Sequence, residues 1–252
     1  MDKMQAIRNL EALFEACNSK KQDLLHTGHK QNDVRVSFYK HLVTTTNSTI
    51  HLMIFSDTTL VTEDWWLKKL PKYKINKRIF STSSNESRQI ETDNIDQYLL
   101  LSYFSSVFHI FESSFRRICK SCLTEEYSLA KKIGEWEKED IKNLLVIILK
   151  KLNLLDIGRR DFLEIVVKFR SSLYNNGVYI SERQESFSDF KWKNKSYVFK
   201  HGERIISEDK GELWEECFKF TRALISIFTE VINHPIIKKY SFIEDITATG
   251  YI

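Results

Sequence analysis

A short segment in the second half of the chain combines side chains that could bind a phosphodiester. Arg170 supplies a planar guanidinium group, whose N–H groups match the geometry of a phosphate. Tyr174 follows Arg170 by four residues, so on a helix the two side chains lie on one face. Neighbouring residues add hydroxyls and amides: Ser171, Ser172, Asn175 and Asn176. An arginine one turn from a polar aromatic residue could hold and polarise a phosphodiester.

The same segment also has a structural interpretation. Arg170 could pair with Glu112 or Glu164, and Tyr174 could serve only in packing. Arginine residues near the edge of a core are usually paired with an acid. The residue types therefore favour the structural interpretation and leave the functional one open.

A helix predicted over residues 159–175 positions Arg170. One apolar row on this helix repeats at spacings of three and four: Phe162, Val166, Phe169 and Leu173. Arg170 continues the neighbouring row, which begins with Leu163 and Val167. We therefore expect its side chain at the edge of a packed surface and not in bulk solvent. Asn175 to Gly177 should end the helix, because Asn and Gly accept the left-handed backbone conformation.

Apolar spacing predicts further helices at residues 3–25, 33–46, 92–121, 137–154 and 209–233. The helix over 92–121 carries a row typical of core packing: Tyr98, Leu101, Phe104, Phe108, Phe111 and Phe115. Glu112 and Arg116 are one turn apart on it and can form an ion pair. Gly158 should separate residues 137–154 from the next helix, and Pro235 should end the last one.

Short strands are predicted between the two last helices. The candidates are residues 178–180, 197–199 and 204–206, and His201–Gly202 is the expected tip of a hairpin. Residues 51–62 could form a strand or the end of a buried helix. The β-branched threonines before them weaken a helix prediction beyond residue 46.

Residues 63–90 hold the most concentrated basic stretch of the chain, which includes Lys68, Lys69 and Lys72. A run of charge usually marks a solvated segment, so we expect a surface loop or linker. Contact between these lysines and RNA phosphates is the alternative interpretation.

The composition is that of an ordinary globular protein. The chain has 252 residues, which allows one large domain or two small ones. Its 7 Gly and 2 Pro are few helix breakers, and this favours long helices. A net charge of +4 does not by itself identify a nucleic-acid binder. We find no signal peptide and no apolar run long enough to span a membrane, so we expect a cytoplasmic protein.

Two of the four cysteines, Cys119 and Cys122, form a C-x-x-C pair within a helical pattern. A structural zinc site usually needs a second pair of ligands, and none is evident nearby. Buried free thiols are the expectation. We predict neither a metal nor a cofactor.

The segment from Lys168 to Gly177 resembles the active-site motif of HEPN domains. These are helical bundles in which a late helix carries an Arg, often followed by Asn, and a His a few residues on. The earlier helix with Phe111 to Arg116 resembles the first helix of that bundle. The resemblance covers roughly residues 92–234. It implies a helical bundle, RNA as the ligand, and a homodimer that brings two motifs together.

Two departures from the family pattern bear on activity. Ser171 stands where Asn is common, and Tyr174 stands where the His would fall. In active members, the resemblance implies metal-independent RNA cleavage in which the ribose 2′-hydroxyl attacks the adjacent phosphate. A tyrosine has an ordinary pKa of about 10 and is a poor base near neutral pH. His109 and His201 are other imidazoles, but the sequence does not place either near Arg170.

We therefore predict a mainly α fold: a HEPN-like helical bundle with a small β hairpin over residues 91–252. Residues 1–90 would form an N-terminal helical extension and basic loop. The predicted function is an RNA-associated or interaction protein, non-catalytic or weakly active, with a metal-independent endoribonuclease of toxin or anti-phage type as the alternative. The candidate site residues are Arg170, Tyr174, Asn175 and Glu112, with Arg116, Lys68, Lys69 and Lys72 for RNA binding. A protein partner stays open.

Overall fold

Helices dominate the structure. The computed structural model describes residues 1–56, 85–137, 140–173, 175, 178–181, 188–205 and 210–245. Of these residues, 76% are helical, in eight helices, and two strands form one antiparallel hairpin. The predicted mainly α fold is confirmed.

The first two helices are α1, Lys3–His26, and α2, Val34–Phe55. The prediction that α2 ends near residue 46 is wrong, as is the strand alternative for residues 51–55. Thr46 and Thr49 are buried in α2, and the hydroxyl of each has a hydrogen-bond partner. Thr49 donates to the Thr45 carbonyl at 2.9 Å, and the Thr46 hydroxyl lies 3.1 Å from that of Tyr103. Burial therefore outweighs the weak helix propensity of these β-branched residues.

The third helix, α3, spans Asn85–Cys122 and is the longest. It begins before the predicted residue 92, so the expected loop over 63–90 is wrong for residues 85–90. The rest of that stretch lies outside the described residues. The prediction of core packing is correct for four members of the aromatic row, which are fully buried: Phe104, Phe108, Phe111 and Phe115. It is wrong for Tyr98, which is exposed. The next helix, α4, spans Thr124–Glu137 and was not predicted.

The helices α5, Asp140–Lys151, and α6, Ile157–Leu173, follow. α5 ends earlier than predicted because Asn153 adopts φ 52° and the Leu154 N–H turns back to the Leu149 carbonyl at 2.8 Å. Asp156 accepts a hydrogen bond from the Arg159 N–H at 2.7 Å and caps the start of α6. Gly158 therefore lies inside α6, and the prediction that it separates the two helices is wrong.

A β hairpin pairs β1, Ser188–Trp192, with β2, Lys195–Phe199. Its turn is Lys193–Asn194, with φ of 47° and 63°, and not the predicted His201–Gly202. Two left-handed residues form the tight turn that matches strand twist, and Asn tolerates this conformation. Of the other strand candidates, Val178 and Arg204 form one isolated bridge.

The last helices are α7, Lys210–Asn233, and α8, Pro235–Lys238. Phe220 of α7 meets Phe104 of α3 and Phe169 of α6, with ring centroids 6.1 and 5.2 Å away. Phe38 of α2 stacks on Phe228 of α7 at 3.7 Å. The helices before residue 90 thus pack into the same core as those after it.

The hairpin is attached to both α6 and α7. Trp192 packs on Phe162 of α6, with ring centroids 4.8 Å apart. The Tyr197 hydroxyl donates to the buried carboxylate of Glu216, which also accepts from Lys195 at 3.1 Å. Burial and the Glu216 charge raise the pKa of Tyr197 above its ordinary value. The hairpin therefore covers α6 upstream of Arg170.

A buried ion pair fastens the C-terminal segment to the start of α2. Arg35 donates to both carboxylate oxygens of Asp33, at 2.8 and 2.6 Å, and both side chains are almost fully buried. The same guanidinium donates to the carbonyls of Tyr240 and Ser241, at 3.1 and 3.3 Å. Burial acts to raise the pKa of Asp33, but the hydrogen bonds and charge of Arg35 outweigh it and hold that pKa below its usual value.

Candidate functional site

Arg170 lies in the last turn of α6, at the edge of the core. Its side chain is 27% exposed. The guanidinium carbon sits 5.0 Å from the centre of the Phe108 ring, which is fully buried in α3. This is the position predicted from the apolar row on α6. The ring holds one face of the guanidinium, so the group is restrained while part of it still meets solvent.

Glu112 of α3 connects Arg170 to Arg116. One Glu112 oxygen lies 3.7 Å from Arg170 Nη2. The other accepts hydrogen bonds from Arg116 Nε and Nη2 at 3.0 and 2.8 Å. We call Glu112, Arg116 and Arg170 the arginine cluster. It brings two guanidinium groups to one carboxylate, and all three side chains are partly exposed.

Glu164, the other acid considered for Arg170, faces a different cation. Its carboxylate lies 3.3 Å from Lys142 Nζ of α5. The structural interpretation of Arg170 is therefore correct in one respect, because the residue does pair with Glu112. The same contact also places Arg170 beside Arg116, so pairing and phosphate binding are not mutually exclusive here.

Asn175 lies two residues beyond the end of α6. It is exposed, and its amide donates to the Ser171 carbonyl at 3.2 Å. Ser172 is buried and donates to the Phe169 carbonyl at 2.6 Å. These bonds satisfy the helix end, which is the ordinary role of such residues. Tyr174, the fourth predicted site residue, lies outside the described residues, as do Lys68, Lys69 and Lys72.

His109 is a polar residue on α3 that the sequence reasoning left unplaced. It is exposed and precedes Glu112 by three residues, so the two share a helix face. The sequence signal for His109 is its position one helical turn before Glu112, on the face that also carries Arg116. His201, the other imidazole considered, accepts a hydrogen bond from the Ser181 N–H at 3.0 Å in a different loop.

Two surface cavities lie away from the arginine cluster. One of about 480 Å³ is lined by Val146, Lys150, Asn153, Leu155 and Arg160. Another of about 410 Å³ lies between the ends of α1 and α7, with Lys20, Arg35 and Lys238 among its lining residues. None of the residues that line these two cavities belongs to the arginine cluster.

The four cysteines are free and buried: Cys17, Cys119, Cys122 and Cys217. Burial raises the pKa of Cys17 to about 12 and that of Cys122 to about 11, so their thiols stay protonated near neutral pH. Within the described ranges, we find no group of three or more His, Cys, Asp or Glu side chains placed to hold a metal ion.

None of the helices in the described part of the chain is both long enough and apolar enough to cross a membrane. Comparisons with protein-family models, with curated proteins and with solved structures found no match to this chain.

Proposed function

We propose that this is a HEPN-like, RNA-associated protein that binds RNA phosphates through the arginine cluster and cleaves RNA weakly or not at all. The observation that carries the proposal is the position of Arg170, restrained by Phe108 and Glu112 beside Arg116. The resemblance of the Arg170 segment to the HEPN motif supplies the family and the RNA ligand.

Charge and geometry favour a phosphate at this surface. Guanidinium groups bind phosphate oxygens in pairs of parallel hydrogen bonds, and such charged bonds are stronger than neutral ones. Partly exposed ion pairs such as Arg170 with Glu112 contribute little stability, about 0–1 kcal/mol. A phosphate can therefore take over a share of the guanidinium hydrogen bonds at low cost, while Glu112 keeps the two arginines together.

The motif itself favours weak catalysis. Tyr174 stands in place of the family's His, and the ordinary pKa of a tyrosine is about 10. The loss of a general base typically costs about 10²–10⁴-fold in rate. The Asn175 amide donates to the Ser171 carbonyl at the helix end. Of the two residues predicted to orient Arg170, Glu112 is therefore the one that lies beside it.

A metal-independent endoribonuclease is the second candidate, and the position of His109 favours it. The imidazole shares the face of α3 that carries Glu112 and Arg116. An imidazole there could accept the proton of a ribose 2′-hydroxyl as its oxygen attacks phosphorus, while Arg170 stabilises the phosphate charge. The leaving 5′-oxygen would then take a proton from water or from an acid.

RNA cleavage by the purified protein in EDTA separates the two candidates. The proteins to compare are the wild type and the variants Arg170→Ala, His109→Ala and Tyr174→His. RNA binding without cleavage by the wild type supports the first candidate, and cleavage gained by Tyr174→His would identify the lost base. Wild-type cleavage that both Arg170→Ala and His109→Ala abolish supports the enzyme. If no variant binds or cleaves RNA, both candidates fail and the chain is better explained as a protein-interaction module.

The homodimer, the cytoplasmic location and the toxin or anti-phage setting belong to this proposal. A two-fold axis near α6 would double the number of cluster arginines available to one RNA. Light scattering at several concentrations tests the dimer, and a monomer at every concentration would remove that part of the proposal without affecting RNA binding.

A further inference from the structure

The exposed face of α3 extends the arginine cluster along the helix. Tyr98 and Arg116 are eighteen residues apart, five full turns, so they lie in line along one side of the helix. At a rise of about 1.5 Å per residue, the separation is about 27 Å. His109 lies between them near the same line, and the hydroxyls of Ser102, Ser106 and Ser113 border it.

Tyr98 is the unusual member of this face. Its side chain is 74% exposed, far more than the other tyrosines whose burial the structure describes. No hydrogen bond or ring contact ties it to another residue in the described part of the chain. The buried aromatic row of α3 lies on the opposite side and already supplies the core. A largely exposed aromatic ring adds little to packing and leaves part of its face open for stacking.

We propose that the exposed face of α3 is the path of a single-stranded RNA, with Tyr98 stacking on a base while Arg116 and Arg170 bind phosphates. This inference rests on the proposed RNA binding. It adds that the RNA is single-stranded and that the protein contacts a base as well as phosphates. Aromatic stacking platforms combined with cations along a backbone track are the general means of binding unpaired nucleic acid. A duplex hides its base faces and offers Tyr98 nothing to stack on.

The charges on the face agree with this path. Arg116, Arg170 and the exposed Lys120 lie at one end, with Glu112 as the acid that holds the arginines. The other end offers the ring of Tyr98. Phosphates would therefore anchor one end of the strand, and a base would be held about five turns away.

The test separates base contacts from phosphate contacts with a matched pair of ligands. A short fluorescein-labelled oligouridylate is compared with an oligonucleotide of equal length and backbone whose bases have been removed. The wild type should bind the base-free strand about 10-fold more weakly. Tyr98→Ala should bind both strands with the same reduced affinity, while Tyr98→Phe should behave as the wild type. Phe242→Ala, at an exposed aromatic residue whose ring lies under Lys30, is the control variant.

The outcomes distinguish base stacking by Tyr98 from the proposed binding of RNA phosphates by the arginine cluster. If Arg170→Ala weakens binding but Tyr98→Ala still discriminates between the two strands as the wild type does, the stacking inference is overturned and phosphate binding stands. Equal or tighter wild-type binding of a duplex would overturn the single-stranded ligand. If the wild type binds none of these ligands, both the inference and the proposed function fail.

Discussion

The protein uses arginine–carboxylate contacts in two regions with opposite surroundings. Arg35 and Asp33 are 2% and 0% exposed, and the main-chain carbonyls of Tyr240 and Ser241 accept further hydrogen bonds from Arg35. In the arginine cluster, Glu112, Arg116 and Arg170 are 17%, 25% and 27% exposed. The same pair of chemical groups is enclosed in one region and partly exposed to solvent in the other.

This difference is the basis for proposing a structural role for Arg35 and a binding role for Arg116 and Arg170. A buried pair loses so much solvation that each partner depends on the other, and removal of one leaves an unpaired charge. A partly exposed pair is weak because water can replace either partner, and so can a phosphate. Burial therefore assigns Arg35 to holding the C-terminal segment on α2, whereas Arg116 and Arg170 keep part of each guanidinium in contact with solvent.

The largest effect should come from the buried pair. We expect Arg35→Ala to lower the free energy of unfolding by about 3–5 kcal/mol, because Asp33 is left buried and uncompensated. Urea denaturation measures the change. Arg116→Ala is the matched control and should cost no more than about 1 kcal/mol. Equal losses in the two variants would remove the contrast between the regions.

For RNA affinity, we expect the larger loss from substitutions in the arginine cluster and not from those in the buried pair. Arg170→Gln should weaken binding about 10-fold or more, since a charged hydrogen bond contributes about 1.5–3 kcal/mol. Its effect on unfolding should stay within about 1 kcal/mol. Fluorescence anisotropy with a labelled RNA measures the affinity, and Arg8→Gln, an exposed arginine of α1, is the control. An Arg8→Gln variant as weak as Arg170→Gln would indicate a general charge effect instead of a site.

Acid should weaken the buried pair of Asp33 and Arg35. The pKa of Asp33 is lower in the folded protein than the ordinary value of about 3.9. Its ionised form therefore adds stability above that value, and the contribution is lost as the pH falls through the folded-state pKa. Unfolding curves from about pH 5 to about pH 2 should show a shallower pH dependence for Asp33→Asn than for the wild type. Identical slopes would show that Asp33 does not control acid stability.

The smallest predicted effect concerns salt. Each phosphate contact to a single strand contributes about 0.7 to the slope of log affinity against log salt concentration. Arg170→Gln should reduce that slope by about this amount, whereas Arg35→Lys should not change it. An unchanged slope in Arg170→Gln would mean that Arg170 contacts no phosphate.

The features predicted correctly from the sequence depend on local spacing. Three- and four-residue spacing placed Arg170 at the edge of the core, the aromatic row inside α3, and Arg116 beside Glu112. The incorrect predictions concern features set by distant contacts or by backbone conformation, and residue spacing does not determine either. Burial of Thr46 and Thr49 against α3 extends α2, and Lys193–Asn194 becomes the hairpin turn through two left-handed residues.

Residue spacing could not predict that one arginine–carboxylate region is buried and the other partly exposed. The partner of Arg35 at the Tyr240 carbonyl is 205 residues away, and the approach of Arg170 to Glu112 requires α6 to pack beside α3. Neither leaves a periodic signal in the sequence. The exposed Tyr98 belongs to the predicted aromatic row by spacing, yet it lies in solvent, since the row turns away from the core at that end of the helix.

The most direct test of RNA binding at the arginine cluster is ultraviolet cross-linking of the protein to a single-stranded RNA, followed by mass spectrometry of the attached peptides. We predict cross-links in peptides from α3 around residues 98–122 and from the end of α6, and their loss in Arg170→Gln. Cross-links confined to the lysine-rich stretch around Lys68, Lys69 and Lys72, or unchanged by Arg170→Gln, would contradict the account.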